Sequence, residues 1–304
     1  MERFQRILVC IETLEKARGL LGYASAVSRA VQAREVHLLH VQSPAATRPK
    51  AVVNGVAIAR RGITTSILRD AAAEIFRGHG REKVQCSVAG GVPLIEILRS
   101  ARNRDVDLII LGRRGGEHSG SSLPSRVATK ARCSVLVVSD GSEADWKRIL
   151  VPARKSECSA HAFATACDMG AATGAEVLCL NVYPVRSGYL NVGTSLDEHA
   201  ALLGDWARHE CEELRDNVNS SGANVRIKCV PDFYRKPVAI MLDQVAGEHA
   251  DLLVIGAQGR RGIAGLLLGA VADKMIRQSD IPVLAVKKKG EAVGLACALR
   301  TLAG

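Results

Sequence analysis

Aromatic residues make up only 3% of the 304-residue chain, whereas apolar residues together make up 47%. The core must therefore be built mainly from Ala, Val, Leu and Ile. Aliphatic strands of this kind are typical of parallel sheets that helices cover on both faces. The charged fraction of 24% is ordinary for a globular protein, which argues against a disordered chain.

Membrane and secretion signals are also missing from the sequence. No run reaches about 18 uninterrupted apolar residues, the length that a membrane-spanning helix needs. The first residues lead into a short strand without a signal-type apolar region. The nine cysteines contain no C-x-x-C pair and are interpreted as free thiols of a reducing compartment. We therefore expect a cytosolic protein without a membrane span.

Sequence motifs for catalysis and metal binding are absent. The chain has no Gly-x4-Gly-Lys-Ser/Thr loop, no Gly-x-Ser-x-Gly elbow and no zinc-type Cys/His spacing. Its eight histidines are dispersed. We therefore expect no structural metal and no catalytic residues.

The net formal charge of +10 favours anionic partners, which include nucleotides, nucleic acid and anionic lipid. Lys and Arg are scattered, however, and no basic run is interleaved with aromatic residues. The longest basic cluster, Lys287–Lys289, simply follows a predicted strand. We expect no specific nucleic-acid binding.

An internal repeat organises the chain. The repeated apolar runs are Arg6–Glu12 with Arg148–Arg154, Val36–Val41 with Val177–Val182, Asp105–Gly112 with His249–Gly256, and Cys133–Val138 with Ile281–Val286. Third strands are predicted at Val84–Val88 and Val225–Val230, and Pro93 and Pro237 then open the next helices. Continuous Val, Ile and Leu runs that alternate with helical segments predict an α/β fold with two tandem doubly wound domains. Each domain should hold a five-stranded parallel sheet.

The repeat also sets the domain limits. We predict one domain over residues 1–140 and a second over residues 146–289, joined by the polar linker Ser139–Asp145. Residues 290–304 fall outside the repeat and are predicted to form a C-terminal tail, which is either loosely held or an interaction helix.

A glycine-rich segment follows the fourth strand of the second half. It contains Gly256, Gly259 and Gly269, with Arg260 inside the loop. Ligands bind such sheets at the carboxyl ends of the strands, and glycine lets the backbone approach them closely. A helix that starts near Gly269 would offer N–H groups to phosphate oxygens. Tight turns also use glycine for geometry alone, so the position within a duplicated unit is what indicates a ligand site.

With these motifs the chain resembles the universal stress protein superfamily, whose ATP-binding members carry Gly-x2-Gly-x9-Gly-Ser/Thr at this location. The resemblance covers about residues 3–289 and implies an adenine nucleotide alpha hydrolase-like fold in each half. It implies a stress-response or regulatory module that binds ATP or another adenine nucleotide mainly in the second domain, with a protein partner or a homo-oligomer as further associations. The second-domain residues that it implies are Pro152, Arg154, Val182, Gly256, Gly259, Arg260, Gly269, Ala270 and Val271.

Two second-domain positions depart from the family pattern. Ala270 replaces the hydroxyl residue after the third glycine, which removes a side-chain donor to phosphate. Arg154 replaces an Asp that contacts the nucleoside in nucleotide-binding members. Arg154 and Lys155 are therefore interpreted either as anion ligands or as solvated loop cations.

The first domain retains a weaker version of the motif. The residues implied there are Glu12, Val41, Gly112 and Gly115. Ser125 stands in place of the third glycine and Arg126 in place of Ser or Thr, so we expect a bulky side chain at this helix N-terminus. Phosphate should bind less well in the first domain than in the second.

Two alternatives to a nucleotide-binding module stay open. In the first, both sites have decayed and the chain is an adaptor that recruits a protein partner; the four altered positions favour it. The second is an enzyme of the related α/β adenine-binding group, which would need ligase or transferase signature loops that are not present. Any ATP hydrolysis should be slow and incidental.

Overall fold

The computed structural model describes residues 3–13, 17–42, 52–53, 56–57, 60–77, 83–113, 122–186, 195–218, 222–257 and 268–288. These residues fall into two compact units that divide between Ala144 and Asp145. We call the first unit 1 and the second unit 2.

Unit 1 alternates strands with helices. Its elements are β1 (Arg6–Ile11), α1 (Ala17–Val31), β2 (Glu35–Gln42), β3 (Val52–Val53), β4 (Val56–Ala57), α2 (Arg60–Ile75), β5 (Lys83–Gly90), α3 (Pro93–Asn103), β6 (Leu108–Arg113), α4 (Leu123–Lys130) and β7 (Ser134–Ser139). Five strands pair in parallel in the order β7-β6-β1-β2-β5. The short strands β3 and β4 form a separate antiparallel pair, which the repeat did not predict.

Unit 2 repeats this plan. Its elements are β8 (Arg148–Pro152), α5 (Glu157–Thr173), β9 (Glu176–Pro184), α6 (Leu196–Asn217), β10 (Val225–Asp232), α7 (Pro237–Gly247), β11 (Leu252–Gly256), α8 (Ala270–Gln278) and β12 (Val283–Val286). The strands are parallel in the order β10-β9-β8-β11-β12. Counted within each unit, both orders are 3-2-1-4-5, so the predicted fold class of two doubly wound domains is confirmed.

The core of each unit is aliphatic, as the composition predicts. Leu108–Leu111 of β6 are at most 3% exposed, and Val177–Leu180 of β9 are fully buried, so helices cover both faces of these strands. Each such buried side chain contributes about 1.5–3 kcal/mol of stability. The eight described cysteines are free thiols and five of them are buried, whereas Cys297 lies outside the described residues.

Helix starts follow local sequence signals. Pro93 and Pro237 are the first residues of α3 and α7, as predicted. At the start of α6, the Ser195 hydroxyl accepts the Glu198 N–H at 3.2 Å and the Glu198 carboxylate accepts the Ser195 N–H at 2.8 Å. Within the described part of the chain, no helix combines the length and apolar character that a bilayer-spanning segment requires.

The strand order locates a crevice in each unit. In unit 1, β2 flanks one side of β1 and β6 flanks the other; in unit 2, β9 and β11 flank β8 in the same way. The chain therefore reverses direction across the sheet at β1/β6 and at β8/β11. Open α/β sheets bind ligands at the carboxyl ends of the strands at such a point.

Candidate functional site

The second-domain candidates end the strands beside the crevice of unit 2. Pro152 is the last residue of β8 and Gly256 is the last residue of β11. Val182 near the end of β9 is only 3% exposed, so its side chain belongs to the core. Gly259 and Arg260, which complete the predicted loop, lie outside the described residues.

The start of α8 presents backbone donors at this edge. Gly269 caps the helix with φ −62° and ψ 145°, and its own N–H donates to the Ala257 carbonyl at 3.0 Å. The first intrahelical bond comes from the Asp273 N–H to the Gly269 carbonyl at 2.9 Å. The N–H groups of Ala270, Val271 and Ala272 therefore precede the helical ladder. Helix starts of this kind attract anions through their N–H groups and dipole.

The two cations that follow β8, Lys155 and Arg154, differ in the contacts that they make. Lys155 Nζ lies 3.0 Å from the Glu213 carboxylate, and this bond together with the lysine charge lowers the pKa of Glu213. Arg154 is exposed, and its backbone N–H donates to Ser159 Oγ at 3.3 Å. Arg154 is therefore the better placed of the two to meet a ligand at this edge.

Gly256 has a packing role that the sequence did not reveal. A β-carbon there would lie 2.7 Å from the Cys158 carbonyl oxygen of α5, which is closer than real β-carbons approach. At the equivalent Gly112 of unit 1, the nearest atom would be Leu20 Cδ2 at 4.0 Å. The absence of a side chain at Gly256 is thus required by the contact between α5 and β11.

A cavity of about 520 Å³ lies at the carboxyl ends of β1, β6 and β7 in unit 1. Its volume falls within the range of small-molecule sites, about 300–1,000 Å³. Glu12 and Gly112 both line it, so the structure brings these two first-domain candidates together. Val41 is half-buried in β2 and does not line the cavity, and Gly115 lies outside the described residues.

Polar residues that the sequence analysis did not select line the same cavity. Arg113 is 6% exposed, and its Nη2 donates to Ser139 Oγ at 2.8 Å. Asp140 and Glu143 add carboxylates, and Gly141 between them has φ 77°. The polar composition of this stretch predicts a linker instead. The available signal was its position directly after the fifth strand, because the carboxyl ends of parallel strands share one edge.

Helix α4 of unit 1 begins differently from α8. The Ser122 hydroxyl accepts the Ser125 N–H at 3.4 Å, and Pro124 has no N–H to offer. The helix therefore starts three residues before the position that the glycine spacing predicts. The expectation that Arg126 stands at the helix start was wrong, since it lies one turn inside and its N–H donates to the Ser122 carbonyl at 3.0 Å.

The described residues contain no group of three or more His, Cys, Asp or Glu side chains arranged to hold a metal ion. The polar groups at both edges are suited to hydrogen bonding and ion pairing with an organic ligand.

Comparison with known proteins agrees with this fold. The model of the universal stress protein family matches residues 3–139 and again residues 145–287. A universal stress protein of Methanocaldococcus jannaschii is 27% identical over 144 residues, which is 47% of this chain and 83% of that protein. The crystal structure of a universal stress protein from Archaeoglobus fulgidus superposes with a TM-score of 0.64 at 18% identity, covering 94% of this chain and 97% of that chain. A functionally unknown protein from Pseudomonas aeruginosa also gives a TM-score of 0.64 at 18% identity, covering 99% and 98% of the two chains.

Proposed function

Because this chain belongs to the universal stress protein family through both of its halves, we propose that it binds ATP or a related adenine nucleotide, mainly in unit 2. Binding would serve a regulatory task in the stress response. We expect this module to act in the cytosol, with at most weak and incidental ATP hydrolysis.

The main support for this proposal is the set of backbone N–H donors at the start of α8. The N–H groups of Ala270, Val271 and Ala272 precede the first intrahelical bond and stand at the carboxyl edge of the sheet, where the glycine motif ends. Hydrogen bonds to a charged group contribute about 1.5–3 kcal/mol each. Two or three such bonds to phosphate oxygens are sufficient for a weak nucleotide site.

The charges at this edge favour the phosphates over the nucleoside. Arg154 is exposed two residues after the end of β8, and a guanidinium pairs well with phosphate oxygens in a two-bond geometry. No carboxylate occupies this position to accept a bond from the ribose. We therefore expect affinity to rise with phosphate count, so that ATP binds more tightly than AMP and AMP more tightly than adenosine.

The test is native mass spectrometry of gently purified protein, followed by calorimetric titration with ATP, AMP and cyclic AMP. Gly259→Leu should abolish binding because a bulky side chain in the motif blocks approach of the backbone to phosphate, whereas the matched Gly115→Leu should leave it intact. Both glycines lie outside the described residues. The absence of bound or titratable nucleotide would overturn the proposal, and equal loss in both variants would contradict its assignment to unit 2.

A second candidate function is an adaptor that binds a protein partner. Trp206 is 77% exposed and Leu202, one turn earlier on α6, is 56% exposed. Exposed tryptophan is enriched at the energetic centres of protein interfaces. A chain that titrates with none of the three nucleotides, and whose binding to a purified partner is lost in Trp206→Ser, would favour this function.

A further inference from the structure

Three cysteine thiols meet between α6 and the sheet of unit 2. Cys211 of α6 forms hydrogen bonds with Cys179 of β9 and with Cys229 of β10. Cys179 and Cys211 are at most 1% exposed, whereas Cys229 is half-buried. Buried free thiols usually behave as small apolar groups, but here one thiol contacts two others. We call these three residues the unit 2 thiol cluster.

The register of β9 and β10 places the cluster on one face of the sheet. Asn181 of β9 pairs with Cys229 of β10, and Cys179 lies two residues before Asn181, so all three side chains share a face. The Asn181 side chain donates to the Ala207 carbonyl of α6 at 3.3 Å, so α6 covers this face. Cys211 follows Ala207 by one helical turn and therefore lies over the cysteines of both strands.

Small residues on the inner face of α6 let the helix lie close to these strands. Ala200, Ala207 and Cys211 are the buried residues of this 22-residue helix. Cα atoms of α6 accordingly approach those of β9 and β10 within 8 Å. A disulfide usually joins Cα atoms about 4.4–6.8 Å apart, and small side chains at a helix–strand contact favour such a separation.

The strand positions decide which pair of thiols can be bridged. Cys179 and Cys229 lie on neighbouring strands with an offset of two residues, which separates their Cα atoms by about 8 Å. This is beyond the span of an unstrained disulfide. Cys211 above them is the common partner. Cys229 is the half-exposed member of the cluster, so an oxidant from solvent reaches it first.

We propose that Cys229 and Cys211 form a reversible disulfide when a peroxide reaches the protein. The Cys229 sulfur attacks one peroxide oxygen, the O–O bond breaks, and the departing hydroxide takes the Cys229 proton, which leaves a sulfenic acid and water. The Cys211 sulfur then attacks the sulfenic sulfur, the S–OH bond breaks, and this hydroxide leaves with the Cys211 proton as a second water. A dithiol reductant restores both thiols by exchange. The bond ties α6 to β10, the edge strand of unit 2.

The surroundings of Cys229 make the first step slow. The hydrogen bond with Cys211 and burial raise the pKa of Cys229, so little of the reactive thiolate is present at neutral pH. Among the charged neighbours on α6, Arg208 lowers this pKa and Glu212 raises it, in both cases less than burial does. The pair therefore responds to sustained exposure to peroxide rather than to brief pulses. It is separate from the nucleotide site proposed in unit 2 and does not depend on it.

Peptide mapping of the oxidised full chain tests for the bond. Folded, fully reduced protein is treated with hydrogen peroxide, the remaining thiols are blocked with iodoacetamide, and a non-reduced digest is analysed by mass spectrometry. A linked peptide should contain Cys211 and Cys229 and should disappear on reduction with dithiothreitol. If Cys229 is found unmodified after prolonged treatment, or oxidised without a link to Cys211, the proposal is overturned.

The two buried cysteines of the cluster provide matched variants. Cys211→Ala should abolish the link and leave a sulfenic acid at Cys229 that dimedone traps. Cys179→Ala removes an equally buried thiol from the same cluster and should leave the link in place. Circular dichroism checks that both variants fold. Loss of the link in folded Cys179→Ala would contradict the assignment of the pair.

Cys86 is the matched half-exposed thiol in unit 1. It lies on β5, the counterpart of β10, and burial also raises its pKa. The neighbouring elements β2, α2 and α3 contain no cysteine. Peroxide should therefore give a sulfenic acid at Cys86 that dimedone traps, and no internal disulfide. An internal disulfide at Cys86 would mean that peroxide links thiols regardless of their contacts, which would count against the cluster.

Discussion

The backbone of α5 passes so close to the end of β11 that Gly256 and Cys158 leave no room for a side chain. A β-carbon at Gly256 would lie 2.7 Å from the Cys158 carbonyl oxygen and 3.0 Å from the Cys158 β-carbon. Both atoms belong to a helix that packs on the sheet, so neither can swing aside as a flexible side chain does. This glycine therefore fixes how closely α5 packs on the strand that precedes the glycine loop.

Gly256→Ala should destabilise unit 2 by about 1–3 kcal/mol, the cost of overpacking a well-packed contact. The matched Gly112→Ala in unit 1 should be nearly neutral or slightly stabilising, because its nearest atom would lie at 4.0 Å and alanine restricts the unfolded chain. Both tryptophans, Trp146 and Trp206, lie in unit 2, so urea unfolding followed by tryptophan fluorescence reports that unit. Because Gly112 lies in unit 1, the unfolding of Gly112→Ala is followed by circular dichroism instead. Equal destabilisation in the two variants would contradict the packing role.

The fold class was predictable because a duplicated pattern of buried strands is a local property of the sequence. The strand order 3-2-1-4-5 was not, since doubly wound sheets also occur with other orders. The role of Gly256 was not, since the Cys158 contact joins residues distant in the chain. The start of α4 was missed for a different reason. The motif predicts a helix start from the spacing between glycines alone. The actual start of α4 is set by Ser122, which caps the helix, and by Pro124 in its first turn.

The candidate site was predictable only in part. Glu12 and Gly112 line the unit 1 cavity as their positions after β1 and within β6 suggested. Asp140 and Glu143 were interpreted as linker because polar residues after a strand look alike whether they face solvent or a crevice. Both residues line the cavity beside Gly141, which has a φ of 77°, and the sequence pattern does not show this placement.

His37 should make the stability of unit 1 depend on pH. The side chain is 3% exposed, its Nε2 lies 2.7 Å from Ser87 Oγ, and burial together with the charge of Arg104 lowers its pKa to about 4. The unfolded chain takes up this proton near pH 6.5, whereas the folded chain does so only near pH 4. Stability is therefore lost as the pH falls between these values, by about 3 kcal/mol at most.

Urea unfolding followed by circular dichroism at pH 7.5, 5.5 and 4.5 measures this dependence. His37→Gln should flatten it, because no group then gains a proton on unfolding at this position. His209→Gln is the control, since His209 is 73% exposed and belongs to unit 2. An unchanged pH slope in His37→Gln would refute the assignment.

Glu248 should stabilise unit 2 at neutral pH and lose this effect in acid. Arg226 and Lys228, two residues apart on one face of β10, donate to its carboxylate at 2.6 and 2.5 Å and lower its pKa to about 2. The unfolded carboxyl titrates near pH 4.5, so the stabilisation is complete above that value and disappears as the pH falls towards 2. The two cations are partly exposed, so we expect only about 1 kcal/mol at low salt.

Glu248→Gln should therefore lower the free energy of unfolding at pH 7 and differ little from the parent protein near pH 2. Added salt should reduce the difference at pH 7. The exposed Asp243→Asn on α7 controls for the loss of one negative charge. Tryptophan fluorescence again reports unit 2, and an equal effect of both variants would argue against a specific role for the Arg226 and Lys228 bonds.

Substitutions at Ala270 test whether the start of α8 binds phosphate, because one should weaken ATP binding and another should strengthen it. Gly269 has φ −62° and ψ 145°, which is the conformation that a following proline requires, and proline is well tolerated as the first residue of a helix. Ala270→Pro should therefore keep the helix, remove one N–H donor and weaken ATP binding about tenfold. Ala270→Ser keeps that donor and adds a hydroxyl, so it should strengthen ATP binding by a similar factor. Calorimetric titration measures both affinities, with circular dichroism as the check on folding. If the two variants bind ATP equally, the start of α8 does not hold the phosphates, and the nucleotide site must lie elsewhere in the chain.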